Sequence, residues 1–418
     1  MGTALEWYDF SLYGTASALV FAQVFFPSGN ELAATLASLG TFAVGFLARP
    51  IGGVIIGLLG DRVGRRQMLF VTLLLMAAAS TGIGLLPTYG SVGIWAPVML
   101  VALRVLQGLG AGGEYAGAML MSAEHAVDRH RGLNASIPSV GNAVGALLAT
   151  GIFYLTAAVL PHESFIAWGW RVPFLLSAVL AIAAFIIRLR VSESPEFRAS
   201  TGPKNSGGRQ LVEVMHRGGS RIPLAMLMSI APNVLSYLPS VYALTYLANQ
   251  VGAPESVGLL GLMIANALKV ITVPTAGWLS DRFGGRRIMI IGSLAGAVLL
   301  FPFFLLLDTG TPLLVWLAFV MIFTLCCDMT LASQATMLSS LFDVDVRYGS
   351  VTFSREITGA VVGGGIPFVA AALTGVLDGR PWLVAALCAV LCLVCAGGTR
   401  ALPETRIRGR GTESVRSA

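Results

Sequence analysis

The sequence predicts an all-α membrane protein of twelve transmembrane helices in two six-helix halves, and three observations lead there. Of 418 residues, 56% are hydrophobic and 11% charged, against roughly 25% charged in soluble proteins. Twelve apolar windows are each long enough, at ~20 residues, to cross a ~30 Å hydrocarbon core as a helix. Two similar charged turns, "GDRVGRR" from Gly60 and "SDRFGGRR" from Ser280, stand 220 residues apart, counted from Asp61 to Asp281. That repetition marks an internal duplication.

In chain order the windows cover roughly 2–26, 34–59, 67–87, 95–124, 132–160, 170–189, 222–249, 256–279, 288–307, 312–340, 348–376 and 381–401. No basic region precedes the first and no cleavage site follows it, so it is expected to stay as a helix and not to be removed as a signal peptide. The expected division is an N-terminal bundle over 1–190, a polar linker over 191–221, a C-terminal bundle over 222–402 and a tail over 403–418. "SESPEF" (Ser192 to Phe197) after window six is echoed by "LPETR" (Leu402 to Arg406) after window twelve. Of 27 Lys and Arg, 21 lie in alternate connections and the tail, and only Arg171 and Arg380 in the opposite loops. Basic residues collect on the cytoplasmic side of short loops, so both termini are expected in the cytoplasm. Topology thus accounts for the net charge of +6, and no nucleic-acid partner is expected. The five cysteines (Cys326, Cys327, Cys388, Cys392, Cys395) all fall in apolar runs, without the loop spacing of disulfides or zinc sites. They read as small buried hydrophobes.

Charges inside the windows say most about function, because an ionisable group at the bilayer centre costs about 2.5–3.5 kcal/mol and usually faces a wet cavity or a partner. Arg104 lies about ten residues into window four, or ~15 Å at 1.5 Å per residue, near the midplane. Gln107, Gly108 and Ala111 follow on its face. A guanidinium can hold a carboxylate through two parallel bonds, so Arg104 with Gln107 is a candidate substrate site; the alternative is an internal ion pair with Glu6 or Asp9. Those two acids, three apart on one helix, are candidate proton carriers, since two crowded carboxylates in a poorly solvated place do not both stay ionised cheaply. Glu114, about three turns beyond Arg104, is a third. Arg49 reads as the structural partner of these acids.

In the second half, Lys269 and Asp328 fall at similar depth. They form either a salt bridge across the cavity or a substrate and proton-coupling pair. Arg355 and Glu356 are adjacent and point ~100° apart, so they cannot both face one cavity directly; Arg355 is a candidate for substrate and Glu356 for the proton. In window seven Tyr242 shares a face with Tyr246 and is either an aromatic wall for the substrate or a packing residue. Pro239 there frees a backbone carbonyl, a break tolerated beside a cavity or moving element.

Twelve spans with these two turns resemble the major facilitator superfamily over the whole chain. Within it, "EWYDFSLYG" (Glu6 to Gly14), "ARPIGG" (Ala48 to Gly53), "RVLQGLGAGGEYAGA" (Arg104 to Ala118) and "WGWRVPF" (Trp168 to Phe174) resemble the metabolite:proton symporter branch. Carriers of shikimate, 2-oxoglutarate, citrate and proline or betaine belong to that branch. Its members usually carry a tail and at least another helical turn before the "EWYDF" segment, whereas five residues precede Glu6 here. The resemblance implies that the charged turns hold the halves together in one access state and release them in the other. The residues concerned are Gly60, Asp61, Arg62, Gly64, Arg65 and Arg66 in the first turn, and Asp281, Arg282, Arg286 and Arg287 in the second.

The expected function is uptake of a small organic acid, a carboxylate, together with protons by alternating access. The setting is the bacterial cytoplasmic membrane, with the lipid bilayer as surroundings, a monomer as the working unit, the proton gradient as driving force, and neither cofactor nor metal. Efflux by proton antiport is the alternative. Antiporters of the superfamily typically show a Gly-Pro-rich motif in helix five, and "SIPSVGNAVGALLATG" (Ser136 to Gly151) has no Gly-Pro step. The four histidines, His125, His130, His162 and His216, sit at helix ends or in loops with no metal or nucleophile constellation, so no enzyme is expected.

Overall fold

The computed structural model describes residues 2–63, 65–112, 122, 131–190, 219, 221–342 and 344–402, and every regular element among them is helical. The first half is built from α1 (Gly2–Leu19), extended by the short Phe21–Phe25, then α2 (Glu31–Val63), α3 (Arg65–Leu85), α4 (Trp95–Ala111), α5 (Arg131–Val159) and α6 (Arg171–Arg190). The second contains α7 (Arg221–Val251), α8 (Glu255–Phe283), α9 (Gly285–Asp308), α10 (Pro312–Leu341), α11 (Val346–Val376) and α12 (Trp382–Arg400).

Among the described residues, eight helices are long and apolar enough to span a membrane alone, and α6 makes a ninth with His162–Gly169, across a 43° bend. Of the other three expected spans, α1 has its hydropathy lowered by Glu6 and Asp9, while the apolar stretches Phe70–Leu85 of α3 and Trp95–Ala111 of α4 are shorter than 18 residues among the described residues. Large apolar side chains such as Val298 and Leu305, 68% and 55% exposed, cover the outside of the bundle. In water such a surface would drive association; here it faces lipid.

The halves meet along α5 and α8, α2 and α11, and α1 and α7. Glycines make the first contact possible, because a Cβ on Gly277 would stand 2.7 Å from Gly132 O and one on Gly132 2.6 Å from Gly277 O. Within the first half, α4 lies as close on α2, where a Cβ on Gly108 would meet Gly45 O at 2.2 Å. Small residues let membrane helices approach this closely.

Wider π turns interrupt the helices at Leu238–Tyr242 and Leu247–Val251 in α7, Phe323–Cys327 in α10 and Gly359–Gly363 in α11. Such turns concentrate at functional sites. The first contains Pro239, whose missing N–H leaves a carbonyl without its usual partner, and the third runs directly into Asp328.

Candidate functional site

A cavity lies between the halves, and each bordering helix contributes residues at helical spacing. α1 supplies Trp7, Ser11 and Thr15; α5 supplies Asn142, Ala146 and Thr150; α7 supplies Ser236, Tyr237, Ser240 and Val241; α8 supplies Leu262, Asn266 and Lys269. Phe10, Phe42 and Phe323 complete the wall. Its volume of about 40 Å³ has room for about three waters. Among the described residues, Lys269 is the one charged side chain in the lining.

The halves touch on both sides of this cavity. At the end bearing the charged turns, Asp281 of α8 accepts the backbone N–H groups of Gly132 at 2.6 Å and Leu133 at 3.0 Å, which open α5 in the other half. A carboxylate at a helix N-terminus satisfies orphan donors and the positive end of the helix dipole. Nearer the middle, Arg49 of α2 donates from Nη2 to Glu6 Oε1 at 2.6 Å and from Nε to Glu356 Oε2 at 3.0 Å, bridging α1, α2 and α11. At the opposite end Thr245 donates to Ala18 O and Asn249 to Thr35 Oγ1, each at 3.3 Å.

Arg104 stands one layer behind the cavity wall. Its guanidinium carbon lies 3.9 Å from the ring centroid of Tyr13, 4.5 Å from Phe10 and 5.4 Å from Phe42, close enough for cation–π attraction. It rests on the bare backbone of Gly45, where a Cβ would come within 2.1 Å of Nε. Nη1 donates to Gln107 Oε1 at 2.5 Å, and Gln107 Nε2 donates to Ser80 Oγ at 2.7 Å. Asp9 completes this interior network, taking a hydrogen bond from Ser177 Oγ at 2.8 Å and lying within Coulombic reach of Arg104. Asp9 Oδ2 and Arg104 Nε and Nη2 are buried with no hydrogen-bond partner among the described residues.

On the other side, Lys269 Nζ is 3.8 Å from Asp328 Oδ1 and 4.8 Å from the Phe323 ring centroid. Thr272 donates to Asp328 Oδ2. Tyr242 points away from the cavity, its hydroxyl against Thr374 and its ring among Tyr246 and Phe304. Arg355 is partly buried, within Coulombic reach of Tyr237. Gly60, Asp61 and Arg62 close α2 while Arg65 and Arg66 open α3; Gly64 and Glu114 lie outside the described residues. In the second turn Arg282 leans on Trp278 and Phe283, Arg286 donates to Arg400 O, and Arg287 is exposed.

The structure therefore brings together two sets of residues that the sequence treated as one. Glu6 and Asp9 lie on different faces of α1, the first bound to Arg49 and the second turned to Ser177 on α6. Sequence reasoning missed the polar lining of Asn142, Asn266, Ser236 and Ser240. Its signal was present as small polar residues four positions apart, Ser11-Thr15 and Ser236-Ser240, along otherwise apolar helices.

Two copies of a model of the sugar (and other) transporter family match the chain, over residues 1–217 and 209–410. The chain belongs to that family, within the major facilitator superfamily. It is 37% identical over 400 residues to the shikimate transporter of Escherichia coli K12, covering 94% of this chain and 91% of that protein. It is 33% identical over 373 residues to the proline/betaine transporter of Salmonella typhimurium LT2, covering 87% of this chain and 74% of that protein. In shape it is similar to the partially occluded inward-open conformation of the xylose transporter XylE from E. coli, with a TM-score of 0.76 and 19% identity over 97% of this chain and 96% of that one. This is a multi-pass membrane transporter of the metabolite:proton symporter branch, and not an enzyme.

Proposed function

We propose that the protein takes up a small organic acid with protons across the bacterial inner membrane by alternating access, both termini cytoplasmic, as a monomer driven by the proton gradient. The observation that carries this reading is the charge pattern of the cavity: a single ammonium, Lys269, among amides, hydroxyls and aromatic rings. That lining suits a carboxylate bound at the ammonium, with hydroxyl or amide groups meeting Asn142 and Asn266. Similarity to carriers of shikimate and of proline and betaine supports a small carboxylate-bearing substrate.

Asp9 carries a proton in this reading. It is wholly buried, has one oxygen without a partner, and lies off the substrate cavity beside Arg104. Arg104 acts from behind Phe10 and Phe42, holding Asp9 in reach and registering, through those rings, whether the cavity is filled. The bridge from Arg49 to Glu356 and the cap from Asp281 to α5 must break and re-form as the halves rock.

The test is to reconstitute the protein in vesicles holding a pH-sensitive dye and add shikimate, 2-oxoglutarate, citrate, proline and betaine one at a time. Internal acidification driven by one compound, and lost in Arg104→Ala, is the expected result. Silence with all five, together with exchange of protons against a lipophilic drug, would replace uptake by efflux.

A further inference from the structure

Lys269 is held differently from Arg49, the buried cation at the equivalent place in the other repeat. Counted back from the two repeat aspartates, Asp61 and Asp281, Arg49 and Lys269 occupy the same position, each twelve residues earlier. Arg49 is gripped by two carboxylates at 2.6 and 3.0 Å. Lys269 has one carboxylate neighbour, at 3.8 Å, beyond the 2.7–3.2 Å of a formed N–H···O bond. Asp328 Oδ1 is left with no hydrogen bond among the described residues, although Asp328 is fully buried and its other oxygen is fixed by Thr272. The ammonium lies on the cavity wall and the carboxylate behind it.

We propose that Lys269 exchanges partners during transport. An incoming substrate carboxylate takes the ammonium, and Asp328 takes up a proton on Oδ1. This deepens the uptake reading and rests on it. The charge balance is closed: Lys269 ammonium with Asp328 carboxylate becomes Lys269 ammonium with substrate carboxylate plus a neutral Asp328 carboxyl. The proton comes from the water on the side the substrate entered from. It leaves on the other side when the substrate departs and the ammonium returns to Asp328.

The surroundings make the proton obligatory. A carboxylate that loses its only counter-ion in a dry interior is costly to keep charged, and the helices packed on α10 offer no substitute. Along α5, α7, α8 and α9, Lys269 is the only charged residue away from the helix ends. On α11, Arg347 is bound to Phe342 O, Glu356 to Arg49, and Arg355 lies near Tyr237. The thiol of the adjacent Cys327 is engaged with Ser236. Meanwhile the Phe323 ring steadies the ammonium on the cavity side as it turns to the substrate. Substrate and proton thus enter as a pair, because neither alone leaves the cavity neutral.

The experiment measures binding of shikimate, proline and benzoate to purified wild-type protein and Asp328→Asn across pH, with proton uptake read in weakly buffered solution. In wild type, the proton taken up by Asp328 makes binding weaken about tenfold for each unit of rising pH. Asp328→Asn leaves the ammonium free, so it binds the same carboxylate at least tenfold tighter, with one proton fewer taken up and a correspondingly shallower pH dependence. Infrared difference spectra of wild type supply a readout that needs no variant: carboxylate binding raises a protonated-carboxyl band. Absence of proton uptake with all three probes in wild type, or equal proton uptake in Asp328→Asn, overturns the exchange. Vesicle accumulation judges the uptake reading separately: linked proton uptake on binding without accumulation would remove symport and leave the exchange standing.

Discussion

Arg49 and Lys269 fill the same place in the two repeats, and the halves have used that place in opposite ways. Arg49 is saturated: two carboxylates from different helices hold it, one of them across the interface, and the rings of Phe10 and Phe46 stack near it at 4.6 and 5.6 Å. Lys269 is underfilled and faces the cavity. The side chains suit these fates, since a guanidinium offers five donors in a rigid fork and an ammonium a compact charge on a flexible stem. One cation of the repeat is a fastener, and the other, in the proposed reading, a ligand.

The sharpest way to break the comparison is to remove each cation. Arg49→Ala strands Glu6 and Glu356 in the interior, and breaking a buried pair by deleting one partner costs about 3–5 kcal/mol. The expected outcome is a large drop in melting temperature in detergent. Lys269→Ala strands one acid, held at only 3.8 Å, in place of two bonded ones, so melting changes less, while carboxylate binding weakens roughly 10- to 100-fold for a lost charge-assisted contact of about 1.5–3 kcal/mol. Equal effects of the two on melting would mean that the positions are alike after all. Lys269→Arg sharpens the contrast, because a fork at that position should grip Asp328 and slow uptake while raising stability.

A smaller effect is expected at the end of the interface. Asp281→Ala removes the cap from α5, worth about 1 kcal/mol, which shifts the balance of access states about fivefold. Distances between spin labels on α5 and α8 at that end should lengthen. Least is expected from Tyr242→Phe, which loses only the hydroxyl against Thr374. Stability should fall by about 1 kcal/mol, with substrate affinity changed less than twofold, because Tyr242 points away from the cavity.

The fold was legible because its signals are long and repeated: apolar windows of ~20 residues, basic residues in alternate loops and one charged turn written twice. The candidate site was only half legible. Intramembrane charges stand out one by one in a sequence of 11% charged residues, which flagged Asp9, Arg49, Arg104, Lys269 and Asp328. Partners do not show, because they depend on how each helix is rotated. Glu6 and Asp9 are neighbours in sequence yet serve different clusters, and Glu356 reaches Arg49 from 307 residues away. Arg104 is near the midplane by residue count, but only the packing of Phe10 and Phe42 puts it behind the wall and leaves Lys269 at the front.

The central claim is that protons drive substrate uptake through a buried acid set apart from the substrate cavity. The direct measurement compares wild type and Asp9→Asn in vesicles, following exchange of labelled substrate at equal pH and its accumulation under a pH gradient. Wild type should accumulate substrate about tenfold per pH unit for each coupled proton, whereas Asp9→Asn should still exchange substrate but lose one coupled proton, and so accumulate about tenfold less per pH unit than wild type. Intact pH-driven accumulation in Asp9→Asn would contradict the account.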